Sequence, residues 1–585
     1  MVIKQTLQNP FRNSSIIGVH VYSHSGEFSP QFFDLTIPGR GLSFQFIRKY
    51  RSSNSAENNI LGRGWDFNYG KWLESNDEDN NIIIYHDGFG RIHQFDKLPG
   101  ANIYKSPNGF YSTLSQEGEN GSKMVIKERF GTFFLFEKPA SINHNVKNNH
   151  DGFSNHTQGR LLSIKDRNGN TIEFKYTSNA IYAIDSLGRE ITMTLDNENR
   201  IIKLQDHANR VGYYNYNQDG CLVEVIQPST TEYPNGPKIK YMYDKQHRLK
   251  SITNSIGQTF LDNYYDEEGR VSKQNQGDGY FEFKYDKIGD TENGFPIYNT
   301  RVRRKNGSNL ILMHNEQGLV IERTLFASSI SRPSEDLTII SSYSDSTNNK
   351  INQKGNLIPL VTKSKFNKNN EMIERIFSDG NSIKRIYDEN DDDPLSRANL
   401  LQIIRTPSKG EVGKRNDHEE IAESYSYEPR HNFVESFTDS RGFKYLYKYD
   451  DRGNRVQNIF PQVTTMNDIK QKSNESCQTK SSIKESTLVS SFTYNDAGQI
   501  ISYSDTNGLT TDYYYYPAND PCGIVNSNKM IQEGKGGYLA KIIRNPVKES
   551  HQLKDKPTNL VKTFGYDIYG NRIIINNGKS NPLKR

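Results

Sequence analysis

Apolar and polar residues alternate in short runs along most of this chain, as in Leu42-Ser-Phe-Gln-Phe-Ile47 and Ile172-Glu-Phe-Lys-Tyr176. A period of two puts every second side chain on one face of an extended backbone, so these runs predict half-buried β-strands. Helical spacing, with apolar residues at i, i+3, i+4 and i+7, is scarce. The breaks between runs are rich in Asp, Asn and Gly, which supply the local hydrogen bonds and positive φ of tight turns. The pattern predicts an all-β chain of many short hairpins.

The breaks recur. One series reads Asp166-Arg-Asn-Gly169, Asp185-Ser-Leu-Gly188-Arg189, Asp206-His-Ala-Asn209-Arg210, Asp244-Lys-Gln-His247-Arg248, Asp266-Glu-Glu-Gly269-Arg270 and Asp286-Lys-Ile-Gly289. Successive Asp residues lie 19, 21, 38, 22 and 20 positions apart, the step of 38 being read as two units with a weaker turn at Gln218-Asp219-Gly220. Tyr often precedes the Asp, as at Tyr243, Tyr265, Tyr285, Tyr387, Tyr449 and Tyr566, with Tyr494-Asn-Asp-Ala-Gly498 as a variant. Asp opens the turn by accepting backbone N–H bonds, and Gly or Asn three residues on takes the left-handed conformation. The Tyr ends a strand and is expected to stack on the Tyr of the next repeat. The turn positions taken as structural are Asp166, Gly169, Asp185, Gly188, Tyr265, Asp266, Gly269, Tyr449, Asp450, Gly453, Tyr566, Asp567 and Gly570. A unit of two strands and two turns at a fixed period implies a solenoid or an enclosing sheet.

Three zones follow: residues 1–157 with strands but no Tyr-Asp repeat, 158–300 as the regular array, and 301–585 as an irregular continuation. Polar insertions at Ser328–Lys354, Ser408–Glu420 and Thr464–Glu485 read as surface loops, and Asp391-Asp-Asp393 as a solvated acidic run.

Composition changes the picture in one respect. Apolar residues make up only 33% of the 585 and mean hydropathy is −0.82, values that point towards disorder, but 35 Tyr and 29 Phe supply rings to pack across strands. Basic and acidic residues nearly balance at 74 and 69 and are interspersed, apart from a mildly basic tail at Lys584 and Arg585, which argues against a nucleic-acid stripe. Cys221, Cys477 and Cys522 form no CxxC pair, so neither a zinc cage nor a disulfide framework is expected. No apolar run suggests a Sec signal peptide near Met1–Pro10 or a membrane span elsewhere.

No HExxH, GxSxG or phosphate-cradling motif stands out. Asp87-Gly-Phe-Gly90-Arg91 reads as a hairpin turn, with His86 beside it a surface residue. Repeated Asp residues invite a glycosidase reading, yet a catalytic pair would be singular and these recur in every unit. Trp65 and Trp72 suit a packed aromatic pair better than a sugar platform. No catalytic, metal or cofactor site is expected.

These residues resemble the Rhs/YD-repeat proteins, a family that includes bacterial polymorphic toxins, Tc-toxin shell components and the teneurin shell. The Tyr-Asp-x-x-Gly-[Arg/Asn] units look like its repeat. Asp34-Leu-Thr-Ile-Pro-Gly-Arg-Gly-Leu42, Arg48-Lys-Tyr-Arg-Ser52 and Leu61-Gly-Arg-Gly-Trp65 are similar to its entry domain. Tyr425-Ser-Tyr-Glu-Pro-Arg-His-Asn432, Thr438-Asp-Ser-Arg-Gly442 and Tyr449-Asp-Asp-Arg-Gly-Asn454 look like a block within its array. The resemblance covers roughly residues 25–575. It implies a spiral β-sheet forming part or all of a cocoon, a non-catalytic shell that encloses or presents a toxin polypeptide. The implied partners are that toxin or a second shell chain, and secretion machinery; no nucleic acid is implied. Export or a cell-associated site without a Sec signal is expected, after a cytoplasmic stage. Adhesion or carbohydrate binding is the alternative. Asp520-Pro-Cys-Gly523 is superficially similar to the family's Asp-Pro plug block, but another repeat, Tyr566-Asp-Ile-Tyr-Gly570, follows it. Neither the plug nor a toxin is recognised in the sequence.

Overall fold

A computed structural model describes residues 20–75, 81–140, 158–327 apart from 293 and 295, 358–389, 393–408, 420–470, 479–545 and 560–577, with short pieces at 16–17 and 583–584. Asp391, Asp392, Cys477, Arg585 and most of the first two polar insertions lie outside the described residues. Within them the chain is all-β, with two short 3₁₀ turns as its only helical pieces.

The turns explain the repeat letter by letter. At Asp266 the carboxylate Oδ1 accepts the N–H groups of Glu268 (3.1 Å) and Arg270 (2.9 Å), while Oδ2 accepts Arg270 Nε at 2.8 Å. The Gly269 N–H donates to the Asp266 carbonyl, and Gly269 sits at φ +81°. This is a β-turn closed by a left-handed residue, one of the favoured hairpin loops. Asn199, Asn209 and His247 take the same conformation where Gly is missing. The residue after it is therefore a second partner for the Asp. Arg189, Arg200, Arg210, Arg248 and Arg270 pair with the Asp four positions back, and Asn170, Asn454 and Asn571 donate a side-chain N–H instead.

The Tyr does not stack on the next Tyr. Its hydroxyl donates to a carbonyl on an earlier strand: Tyr265 to Leu249 (2.8 Å), Tyr285 to Val271 (2.7 Å), Tyr449 to Val434 (2.7 Å) and Tyr566 to Leu539 (2.9 Å). The face of its ring is met by the Arg of the preceding turn, Arg248 over Tyr265 at 4.6 Å and Arg270 over Tyr285 at 4.7 Å. A cation over a ring that also donates outward satisfies both ends of Tyr.

Two parts of the repeat reading are corrected. Asp286 is in no turn: Gly279–Asp290 is one continuous strand, and Asp286 pairs across it with Arg301. The step from Asp206 to Asp244 crosses three strands, Val211–Tyr216, Leu222–Ile226 and Lys238–Tyr243. An odd number moves the Asp turn to the opposite rim of the sheet, so the step is not two hairpin units. The third polar insertion is also not all loop, since Val463–Lys470 and Thr479–Ser486 pair as a separate hairpin.

Strands from Lys71 onward belong to one antiparallel sheet in which nearly every strand pairs with its neighbours in sequence. Its start is closed on itself. The eight strands from Lys71–Ser75 to Gly159–Lys165 form a barrel, sealed where Gly159 and Arg160 pair with Leu73 and Trp72. Eight strands leave an interior that side chains alone fill. Leu73, Ile83, Tyr85, Phe95, Leu114, Ile126, Phe136 and Leu161 are buried there. Strand Gly159–Lys165 shares one edge between two partners, its first residues pairing with Leu73 and Trp72 and its last with Thr171–Glu173. From that point the sheet leaves the barrel and winds outward as a spiral.

Later turns meet earlier ones. Tyr111 Oη donates to Glu371 at 2.6 Å, Asn454 to Asn168 at 2.9 Å, Asn170 to the Ala497 carbonyl at 3.1 Å, and Arg189 to Tyr538 Oη at 2.5 Å. The sheet has by then gone once around, and one rim of the second coil rests on one rim of the first.

Candidate functional site

Residues 20–70 precede the barrel and lie across the inner face of the first coil, the face that carries the repeat tyrosines. Their contacts run along the array: Thr300 Oγ1 donates to the Ser23 carbonyl (2.5 Å), the Leu249 N–H to Tyr50 Oη (2.9 Å), Trp65 Nε1 to Tyr243 Oη (2.9 Å), Ile201 N–H to the Ile60 carbonyl (2.8 Å) and Arg40 Nη2 to the Ser186 carbonyl (2.7 Å). One apolar core joins this entry segment to the sheet from Val21 to Val320.

Its centre is Arg48, with 0% of its side chain exposed. The guanidinium forms a bidentate pair with Asp34, donates to Tyr241 Oη at 3.1 Å, and lies 4.9–5.8 Å from the ring centres of Phe32, Trp65, Tyr214 and Tyr241. Tyr214 donates to the same Asp34 carboxylate at 2.9 Å. Two of the rings come from the entry segment and two from the sheet, so one buried cation holds the two together. The Asp34–Leu42, Arg48–Ser52 and Leu61–Trp65 blocks singled out in the sequence supply this lock. Trp65 is fully buried within it and presents no face to a sugar; Trp72 is stacked on His86 at 3.5 Å.

A second contact joins His24 of the entry segment to His314 of the sheet, with ring centres 6.3 Å apart. His314 Nε2 lies 2.8 Å from Ser23 Oγ and Nδ1 lies 2.7 Å from the Tyr298 carbonyl. Burial, then the neighbouring His314, push His24 down to about 4. The Ser23–His314 pair resembles half of a nucleophile–base arrangement, but Ser23 is fully buried. It ties the segment to the sheet.

Inside the barrel mouth, Lys71 Nζ donates to Tyr85 Oη (3.0 Å) and to the Asp87 carbonyl (2.9 Å). Burial raises Asp66 to about 8, whereas Asp87, whose burial is outweighed by His93 and Lys71, falls to about 2. Asp87 also accepts the N–H groups of Phe89 and Arg91, which makes Asp87–Arg91 the hairpin turn expected. Cys221 and Cys522 are buried thiols. Among the described residues no group of three or more His, Cys, Asp or Glu could hold a metal, and no helix is long and apolar enough to cross a membrane.

The N–H groups of Gly169, Gly188, Gly269, Gly453 and Gly570 donate to the carbonyls of Asp166, Asp185, Asp266, Asp450 and Asp567, and these turns lie along both rims of the sheet rather than at one place. Sequence reasoning missed the surface that the spiral leaves uncovered. Beyond Val320 the same inner face continues across strands from Ile358–Phe366 to Arg572–Asn576 with mostly half-buried side chains, and few of its apolar residues are fully buried. Tyr425, Phe437 and Tyr445 form a row there, with ring centres 5.3 and 5.7 Å apart. Alternation in these strands was visible in the sequence; which face stays open was not.

A spiral antiparallel sheet that starts from a filled barrel and carries an inserted entry segment defines the class of this chain. Residues 18–95 match a family described as a domain of unknown function, DUF6531. No match was found among curated proteins. Among solved structures the chain is similar to TcdB2-TccC3 without its hypervariable C-terminal region, at 12% identity and a TM-score of 0.31 over 92% of this chain and 31% of that one. It is also similar to a Tc holotoxin pore of Photorhabdus luminescens, at 13% identity and a TM-score of 0.29 over 95% and 31%. The chain thus spans about a third of the length of these structures.

Proposed function

We propose that this chain is a non-catalytic wall segment of a toxin-system shell, enclosing or presenting a polypeptide that is either continuous with it or encoded separately. The observation that carries this reading is the change along one face of one sheet. In the first coil the inner face is filled by the chain's own entry segment. In the second coil the same face runs on for some two hundred residues with no second layer among the described residues. Continuous pairing leaves few free strand edges, and the start of the sheet is consumed in the barrel. Such a surface is broad and offers no single convergent pocket, which suits holding a chain rather than transforming a small molecule. The resemblance of the Tyr-Asp units and entry blocks to Rhs/YD-repeat proteins supports the same reading, and with it export by dedicated machinery.

The test is co-expression with the polypeptide encoded immediately downstream, followed by electron microscopy and protease challenge. The expected result is a hollow particle in which the cargo outlasts the same polypeptide treated alone. A solid particle, with cargo cleaved as fast as when free, would overturn the proposal.

A further inference from the structure

The two faces of the second coil treat charge differently. On the outer face opposite charges sit across from one another. Lys363 lies 3.2 Å from Glu322 and Lys365 lies 2.8 Å from Glu374. Cross-strand pairs of this kind neutralise each other.

The inner face of the same strands holds arginines without carboxylates. The register places them. Arg323 is opposite Thr362; Ser364, two residues on, is opposite Arg375; Arg375 is opposite Ile383; and Arg385 lies two residues beyond. All are on the face that carries Leu312, opposite Arg323, and the repeat residue Tyr387. Arg375 donates to Ser364 Oγ at 3.2 Å and Arg385 contacts the Met372 sulfur at 3.6 Å. No carboxylate among the described residues lies within ion-pair distance of Arg323, Arg375 or Arg385. The nearest balanced arginine is Arg405, which pairs with Glu423 at 3.1 Å. Burial, then the Arg385 and Arg323 charges, lower the pKa of Arg375; burial, then Arg304, lower that of Arg323. These cations repel one another, and no described carboxylate pairs with them to offset the repulsion.

We propose that this inner strip, Arg323–Arg375–Arg385, binds an acidic stretch of an extended polypeptide. The inference rests on the wall reading above and adds the chemistry of what the wall holds. Guanidinium forks take carboxylates two bonds at a time. Arg323 and Arg375 are two strands apart, roughly 10 Å, a distance that a few residues of extended chain span. Leu360, Ile383 and Ile403 interleave with the arginines on this face, and Leu360 is 41% exposed. That mixture suits a partner with apolar side chains among its carboxylates more than it suits a bare polyphosphate.

The full chain is titrated with a fluorescein-labelled glutamate homopeptide, with a serine–glycine peptide as the neutral reference and inorganic polyphosphate as competitor. The compared variants are Arg323→Gln/Arg375→Gln/Arg385→Gln, the single exposed change Arg323→Gln, and the outer-face control Lys363→Gln/Lys365→Gln, each checked for an unchanged melting curve. Salt-sensitive binding of the acidic peptide is expected, about tenfold weaker in the triple variant, partly weakened in Arg323→Gln and unchanged in the control. Equal binding by all variants, no binding by the unmodified chain, or tighter use of the same arginines by polyphosphate overturns the inference. Cargo protection is read separately. If the unmodified chain shields its cargo and the arginine changes leave peptide binding untouched, the wall stands and this inference falls. If cargo is never shielded, the wall reading fails whatever the peptide does.

Discussion

Arg48 carries more than its share of this molecule. It is a buried cation whose carboxylate partner, Asp34, also serves Tyr214. Removing one partner of such a pair strands the other charge away from water. Asp34→Asn is expected to cost about 3–5 kcal/mol by chemical denaturation, and to expose the entry segment to protease before the rest of the chain is cut. Arg48→Lys should not restore stability, because an ammonium cannot make the paired bonds or lie flat against four rings. A melting curve of Asp34→Asn superimposable on that of the unmodified chain would remove Arg48 from its place as the lock.

Turns show the same economy one level up. Gly188 and Gly498 both hold positive φ, at +74°, so a side chain strains either. They differ in what a Cβ would meet: nothing within 4 Å at Gly188, but the Asn168 side chain of the other coil at 2.3 Å at Gly498. Gly188→Ala is expected to cost about 1–2 kcal/mol for the backbone alone. Gly498→Ala should cost more, and only it should raise hydrogen exchange around Asn168 and Asn170. Equal effects in the two variants would mean that the coils do not bear on one another there. The sequence made much of this level readable. Tyr-Asp-x-x-Gly marks the true turns at Asp266 and Asp450, and Asp244 keeps the turn with His247 in place of Gly, because the carboxylate, the left-handed residue and the following Arg or Asn are all local. Asp286-Lys-Ile-Gly289 carries similar letters yet lies in a strand, its Asp taken by Arg301 across the ladder. A partner fifteen residues away leaves no mark on the spacing.

For the molecule as a whole, the non-local contacts are the ones that sequence patterning could not supply. Trp72 with Arg160, Arg48 with Tyr241, and Asn168 with Asn454 each join positions that no period links. The entry blocks were recognisable as a unit, but not that they fill the first coil and leave the second bare. At the join between the entry segment and the sheet, burial of His24 predicts acid sensitivity. His24 is held near 4 against an ordinary 6.5, with His314, Glu27, Arg91 and Arg51 the charged or titratable groups around it. The unfolded chain therefore takes up this proton first as pH falls. The contribution of His24 to stability is full above about 6.5 and is lost progressively down to about 4. The melting temperature should fall across that window, and less steeply in His24→Phe. An identical slope in the variant would show that acid acts elsewhere.

Strand Gly159–Lys165, with its edge divided between Trp72 and Thr171, gives the sheet a beginning whose edge is already taken. A chain made from its N-terminus closes the barrel before the spiral has been synthesised, and each later hairpin then adds to an edge already in register. The barrel is in this sense a seed and the coils are growth upon it.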